Sequence, residues 1–337
     1  MKAEPGAALV RARLAAEVPR WYGAGAGLTS PCAPQEHPWS FQFAVVVETS
    51  AGRRHLVVKV PRWEEAPTLE AALAAGPQES TRREHATLEA IADAVGASGD
   101  PGLAAVAPVA YLPDINAVVT ERLEAGPLRS RLGPRPGAEG RQAAVLRRAG
   151  RWLRLYHDRV AGAAPGRFDG AALALELERV AAVVARPSLR EALAGLARRA
   201  RERDGVEAVV GATHGDFNLA NVLVTGDGRV AVLDPNLVPG PLLQDAAKLL
   251  TDLRMRRARA VARGRVGRRG LAAAEAAFLE GYGPADSGLL GFLRDVAAAR
   301  RGIEMEERLA GRPWLLRAPA QAVLLRYAVA ESSRFAG

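Results

Sequence analysis

The stretch that most constrains this chain runs from Thr213 to Asp234, reading Thr-His-Gly-Asp-Phe-Asn-Leu-Ala-Asn-Val-Leu-Val and then Thr-Gly-Asp-Gly-Arg-Val-Ala-Val-Leu-Asp. Two apolar runs flank a Gly226-Asp227-Gly228 turn, the pattern of a buried β-hairpin. A two-residue turn at Asp227-Gly228 places Val222 opposite Leu233 and Asn221 opposite Asp234, with Cβ atoms about 5 Å apart. A different turn length slips that register by a residue or so.

A buried hairpin that ends in an amide and a carboxylate calls for a chemical reason. Both groups are hard oxygen ligands, and a Mg²⁺ takes one or two such ligands from protein when phosphates and water complete its octahedron. Asp216 lies on the tight His-Gly-Asp turn, five residues before Asn221. A carboxylate beside a metal-phosphate site is suited to accept a proton from an incoming hydroxyl, or to orient it. The spacing His-x-Asp-x-x-x-x-Asn, followed by Asp, is the layout of protein kinases, with Gly215 where those enzymes carry Arg.

With His-Gly-Asp-x-x-x-x-Asn complete at 214–221, the sequence resembles the aminoglycoside phosphotransferase family of small-molecule kinases. The resemblance covers roughly residues 36–282 and is strongest over 213–248. It implies an α+β, two-lobed protein-kinase-like fold, with a small antiparallel-sheet N-lobe carrying one helix and a larger, mostly helical C-lobe. The boundary falls between residues 123 and 124, giving a nucleotide-binding lobe over 1–123 and a catalytic and substrate-binding lobe over 124–337. The cofactors implied are ATP or GTP and Mg²⁺. Asn221 and Asp234 are the expected metal ligands, Asp216 the group that handles the acceptor hydroxyl, and His214 a brace for the loop through hydrogen bonding.

At 337 residues, 49% hydrophobic and 25% charged, the chain is globular and long enough for two lobes. The single cysteine, Cys32, excludes an internal disulfide and fits a reducing cytoplasm. No apolar leader opens the sequence, and no uncharged run reaches the ~20 residues of a membrane span.

Lysine occurs at only three positions, Lys2, Lys59 and Lys248, in an arginine-dominated chain. Lys59 lies in the apolar run 55–60, the second arm of a hairpin whose first arm is Phe43–Glu48 and whose turn is Ser50-Ala51-Gly52. Taken alone, Lys59 reads as a snorkelling side chain or as a point charge for nucleotide phosphates. A helix is expected over Glu79–Val95, capped by Ser80 or Thr81, with Leu88, Ile91, Ala92 and Val95 as its apolar stripe. Glu84 falls beside that stripe, where a carboxylate needs a partner; the resemblance makes it the glutamate that positions Lys59, with Glu89 as the substitute. Strands over 104–112 and 115–121 lead into a Gly-Pro punctuated hinge, where the resemblance places the backbone of Glu121 and Leu123 against the adenine edge. No glycine-rich loop precedes the second strand. Glu36–Phe41 occupies that place, and its Ser40 hydroxyl and backbone amides are the candidates for touching phosphate.

Beyond the hinge, helices are expected over 141–159, 173–184, 189–203, 243–253, 272–282, 289–307 and 318–334, with Pro235–Pro241 as a loop. His157 reads as a core residue. Asp245 is expected to cap or brace the metal-binding loop. Residues 254–269 hold eight arginines and no acid, and the formal net charge is +9. That balance suits a neutral or anionic sugar-like acceptor better than a polycation. Two other kinase-fold readings stand beside it, an aminoglycoside-type antibiotic kinase and a nucleotide-binding pseudokinase. Nucleic-acid binding is disfavoured because few aromatics interleave with the arginines. The sequence does not specify an oligomeric state.

Overall fold

The computed structural model describes residues 5–29, 34–132, 139–262 and 268–309. The helix expected over 318–334, most of the arginine run and Cys32 lie outside the described residues or their side chains. The chain forms two compact units, Met1–Gly126 with Thr225–Pro235, and Pro127–Val224 with Asn236–Gly337.

In the first unit, α1 (Pro5–Tyr22) precedes a six-stranded antiparallel sheet. Its strands are β1 (Gly27–Leu28), β2 (Pro34–His37), β3 (Ser40–Thr49), β4 (Gly52–Pro61), β5 (Pro108–Leu112) and β6 (Ala117–Glu121). The order is β1-β3-β4-β6-β5, with β2 also paired to β3. Period-two alternation turns Phe41, Phe43, Val45 and Val47 of β3 and Leu56, Val58 and Val60 of β4 into the core. Ala7, Val10, Leu14 and Val18 recur at helical spacing along α1 and join the same cluster. Lys59 is out of phase with Val58 and Val60, so it projects from the other face of β4. Thr49 pairs with Gly52 around Ser50-Ala51, close to the expected turn.

Between β4 and β5 run α2 (Leu69–Ala74), which the sequence pattern did not suggest, and α3 (Glu79–Ser98). The α3 N-cap is Gln78, with no side-chain cap bond, in place of Ser80 or Thr81. Thr81 is instead 1% exposed inside the first turn. The segment around Val230 belongs to this unit because it is stitched to it: Ala104 N–H donates to the Val230 carbonyl at 2.8 Å, and Val230 N–H donates to the Gly102 carbonyl at 3.0 Å.

The second unit begins at the end of β7 (Ala125–Pro127) and continues through α4 (Leu128–Arg131), α5 (Glu139–Arg159), β8 (Ala164–Arg167), α6 (Gly170–Val183), α7 (Pro187–Arg201) and β9 (Glu207–Thr213). After β10 (Val222–Thr225) and β11 (Val230–Val232), the chain returns through β12 (Val238–Pro241), α8 (Leu243–Ala262), α9 (Arg268–Tyr282) and α10 (Ser287–Leu309). α5 and α9 cross closely at two glycines. A Cβ on Gly150 would lie 2.2 Å from the Phe278 carbonyl oxygen, and one on Gly281 would lie 2.0 Å from that of Arg147.

The expected loop over 235–241 holds a strand. β12 pairs antiparallel with β9, Val238 opposite Thr213 and Pro241 opposite Val210, in a sheet ordered β12-β9-β8. Two prolines are tolerated because β12 is an edge strand, where a missing N–H leaves no ladder bond unmade. The turn between β10 and β11 also differs from the two-residue expectation. Thr225 N–H donates to the Arg229 carbonyl at 3.0 Å around Gly226-Asp227-Gly228, a three-residue loop that moves the register by one.

Candidate active site

In the first unit, β4 delivers Lys59 to two carboxylates. Its Nζ lies 2.8 Å from Glu84 Oε1 on α3 and 2.8 Å from Asp234 Oδ1. Burial works against the ammonium, but Glu84 and Asp234 together outweigh it and raise the Lys59 pKa. Lys59 is therefore charged at any physiological pH, a fixed cation with only 21% of its side chain exposed. Asp234 has φ of 56°, a left-handed conformation that aspartate adopts more readily than most residues. Glu89, the substitute for Glu84, is instead beside His85 Nδ1 at 3.4 Å.

Glu121, the last residue of β6, gives its N–H to the Ala107 carbonyl at 2.8 Å and accepts from Tyr22 Oη on its side chain at 3.2 Å. Arg122 N–H donates to the His55 carbonyl at 2.7 Å, which fixes the chain path into Leu123. Where a glycine-rich loop would stand, β2 and β3 form a hairpin with His37 opposite Ser40 and Pro38-Trp39 as its tip. Ser40 is therefore a strand residue, 4% exposed, and its Oγ accepts from Gln42 Nε2 at 3.3 Å. The group presented at the tip is Trp39, 77% exposed.

In the second unit the His-Gly-Asp turn is clamped from beneath. Asp245, 1% exposed near the start of α8, accepts from His214 N–H at 2.7 Å and from Gly215 N–H at 2.9 Å. His157 Nε2 lies 3.1 Å from the same carboxylate, and its Nδ1 lies 3.0 Å from Tyr282 Oη. His157 is thus structural, as its place on the apolar face of α5 suggests. The His214 ring is fully buried and meets Trp152, Tyr156 and Phe217 edge-on. His214 braces the loop through its backbone N–H and by packing. Gly215 has φ of +75°, and a Cβ there would come within 3.0 Å of Val238 Cγ2. That conformation and that crowding require glycine.

Asn218 winds the next turn, its Oδ1 accepting from Ala220 N–H at 2.8 Å and Asn221 N–H at 3.1 Å. The turn carries Asp216 and Asn221 on one side. Asn221 Nδ2 donates to Asp216 Oδ2 at 2.7 Å and to its carbonyl at 3.0 Å, which leaves the amide oxygen pointing elsewhere. Asp216 Oδ1 accepts from Asn218 Nδ2 at 2.8 Å and Lys248 Nζ at 2.6 Å. Burial pushes the Asp216 carboxyl up, but Lys248, Asn218 and Asn221 outweigh it and hold it below the ordinary aspartate value.

Beside this turn lies a cavity of about 200 Å³ between β9, β12, α6, α8 and α10. Leu173, Val238, Leu293 and Val296 make one wall, while Gln244, Thr251, Asn218 and Lys248 supply neutral and charged polar groups. Arg301 on the rim is engaged by Glu304 and by Asp252 at 3.6 Å, and Arg300 by Glu176 at 2.7 Å. No aromatic side chain lines the cavity among the described residues.

The phosphotransferase enzyme family (APH) matches residues 33–323 of this sequence. The chain belongs to that family. Membership makes it an enzyme of phosphoryl transfer on the protein-kinase-like fold, with the antiparallel sheet of its first unit as the expected N-lobe sheet. No curated protein matches. Among solved structures, the choline/ethanolamine kinase family protein from Mesorhizobium loti is 20% identical, with 97% of this chain and 94% of that chain covered and a TM-score of 0.54. The macrolide 2′-phosphotransferase MphH from Brachybacterium faecium is 18% identical over 93% of this chain and 97% of that chain, with a TM-score of 0.52. The amicoumacin kinase hAmiN, solved with AMP-PNP, Ca²⁺ and Ami, is 14% identical over 97% of this chain and 93% of that chain, with a TM-score of 0.53. At these identities the likeness is one of fold.

Sequence reasoning passed over Asn218 and Lys248. Asn218 occupies one of the unspecified positions of the motif, so nothing in the spacing marks it. Lys248 did carry a signal, the scarcity of lysine that drew attention to Lys59.

Proposed function

We propose that this phosphotransferase moves the γ-phosphoryl group of ATP or GTP to a hydroxyl of a small, neutral or anionic, sugar-like acceptor. The observation that carries the reading is Asp216, held ionised on a clamped turn beside a polar-and-apolar cavity. Lys59, steadied by Glu84, orients the α and β phosphates, and the backbone of Glu121 and Leu123 takes the adenine edge. Asn221 and Asp234 are the Mg²⁺ ligands. The donor chemistry fits: one amide and one carboxylate are hard oxygen donors, and the Asn221 amide oxygen is directed away from Asp216 by its own NH₂ bonds. Such a sparse protein set suits Mg²⁺, which keeps water and phosphate ligands. Bound there, Mg²⁺ would neutralise charge on the transferring phosphates. Asp216 aligns the acceptor hydroxyl and takes its proton, while His214 and Asp245 hold the turn in shape.

The cavity supports a modest acceptor that carries no positive charge. Its volume, about 200 Å³, is below the 300–1,000 Å³ of sites for drug-sized ligands. Among the described lining residues, Asp252 and Glu304 are already engaged by Arg301 and Asp245 is taken up by the turn, which leaves little for a polycation, and a quaternary ammonium finds no aromatic face there. Solved relatives act on a macrolide and on amicoumacin, so an antibiotic acceptor is the second reading.

The test is ADP release with Mg·ATP across neutral sugars, sugar phosphates, choline, macrolides and aminoglycosides, with Asp216→Ala as the blank. Turnover on a neutral or anionic acceptor is expected. Turnover confined to aminoglycosides or choline would overturn the acceptor class and keep the chemistry. Nucleotide binding without turnover on any acceptor would make the chain a pseudokinase.

A further inference from the structure

Lys248 is one of three lysines in a chain with 46 basic residues, and it points at the base. From α8 its Nζ reaches the Gly215 carbonyl at 2.9 Å and Asp216 Oδ1 at 2.6 Å. Its side chain also lines the cavity and is 37% exposed. An ammonium carries three protons. Two serve these oxygens, which leaves one proton for a further acceptor.

A cation this close to a proton acceptor has a chemical cost, because it makes the carboxylate a weaker base. A structural brace does not account for it. The turn is already clamped by two bonds from Asp245, and Asp216 is already oriented by Asn218 and Asn221. What a bare carboxylate here would do is repel the anionic phosphoryl group as it approaches the hydroxyl. A lysine 2.6 Å from that carboxylate cancels the repulsion and offers a donor to the arriving oxygens.

We propose that Lys248 is the acceptor-side cation of the transfer, pairing with Asp216 at rest and hydrogen-bonding the phosphoryl oxygens as they reach the acceptor. The inference rests on the kinase reading above. In the step, the hydroxyl oxygen forms the new P–O bond, the bond to the β-phosphate oxygen breaks with its electron pair leaving on the nucleoside diphosphate, and the hydroxyl proton goes to Asp216. Lys248, within reach of both the Gly215 carbonyl and the cavity, is placed to supply a counter-charge to the new phosphate ester. Lys248 transfers no proton and forms no covalent bond.

The test uses the full chain, Lys248→Met and Lys248→Arg. Affinity is measured for Mg·ADP alone and for Mg·ADP with aluminium fluoride, a mimic of the phosphoryl group in flight, alongside ADP release with water or the identified acceptor. Lys248→Met should bind Mg·ADP within about threefold of wild type, while the fluoride complex weakens and kcat falls by on the order of 10²-fold, the scale of losing one transition-state donor. Lys248→Arg should regain part of both losses. Wild-type-like behaviour of Lys248→Met in the fluoride complex and in turnover would overturn the proposal. Equal loss of Mg·ADP and fluoride binding, with a lowered melting temperature, would also overturn it and make the lysine a brace. If the wild-type chain binds no nucleotide, the kinase reading itself fails, and the role of Lys248 goes with it.

Discussion

Asp245→Asn is the substitution whose cost the structure defines most sharply. The side chain keeps its size, so packing is unchanged, but one acceptor oxygen becomes a donor. The native carboxylate receives three contacts at 1% exposure: His214 N–H, Gly215 N–H and His157 Nε2. An amide can set its oxygen against only one of the two backbone donors and must turn its NH₂ toward the other. The result is one lost bond to a charged group, about 1.5–3 kcal/mol, plus a buried N–H without an acceptor, about 1–3 kcal/mol. These overlap, and a net loss of about 2–4 kcal/mol follows. Chemical denaturation should show a lower midpoint with an unchanged slope, and activity should fall with the displaced turn. Asp252→Asn is the internal control, since Asp252 is more exposed and accepts from Leu219 N–H at 3.2 Å. Its cost should stay near 1 kcal/mol or below. If Asp245→Asn unfolded at the wild-type midpoint, or no lower than Asp252→Asn, the clamp would not be holding the turn.

Glu84→Gln leaves Lys59 with Asp234 as its one carboxylate and should raise the KM for ATP roughly tenfold, the equivalent of a weakened charged bond, with a smaller change in kcat from steady-state kinetics. Gly281→Ala forces a methyl to within 2.0 Å of the Arg147 carbonyl oxygen, so thermal unfolding should report a loss of about 1–3 kcal/mol or more. The pH dependence of kcat/KM carries a defined sign. Asp216 is held below its ordinary value, so its ionised form is favoured in the folded protein, and the stability this contributes is lost only as pH falls through the lowered value. The acid limb due to this group should therefore lie below about pH 4, and a limb near pH 6 would contradict the assignment.

What the sequence disclosed follows from how local each feature is. The strand alternation around Lys59, the helical stripe of α5 and the His-Gly-Asp spacing are fixed by neighbours within a few residues, and all were readable. Glu84 was readable at one remove, because a carboxylate beside an apolar stripe demands a partner. The features that escaped depend on distant backbone. Val238–Pro241 looks like a loop by composition and becomes a strand because the free edge of β9 offers it a place where proline costs nothing. Ser40 looks like a loop hydroxyl, but its pairing with His37 draws it into the sheet and gives the tip to Trp39. Lys248 lies 32 residues beyond Asp216, and only the fold of α8 against the turn brings them together.

Charge shows the same limit from the other side. A net charge of +9 suggested an acceptor site that attracts anions, yet the described arginines nearest the cavity are spent on acids. Arg254 is held by Glu275 at 3.0 Å, and Arg294 shares that carboxylate. Arg300 and Arg301 are engaged at the rim. A paired arginine contributes little field beyond a Debye length, about 8 Å at physiological salt, so whole-chain charge says less about the acceptor than pairing at the cavity wall does. The cation that we place on the acceptor side is Lys248, whose partner is Asp216. Selection among acceptors is therefore expected to follow the neutral polar groups and the apolar wall of the cavity, and to depend only weakly on ionic strength.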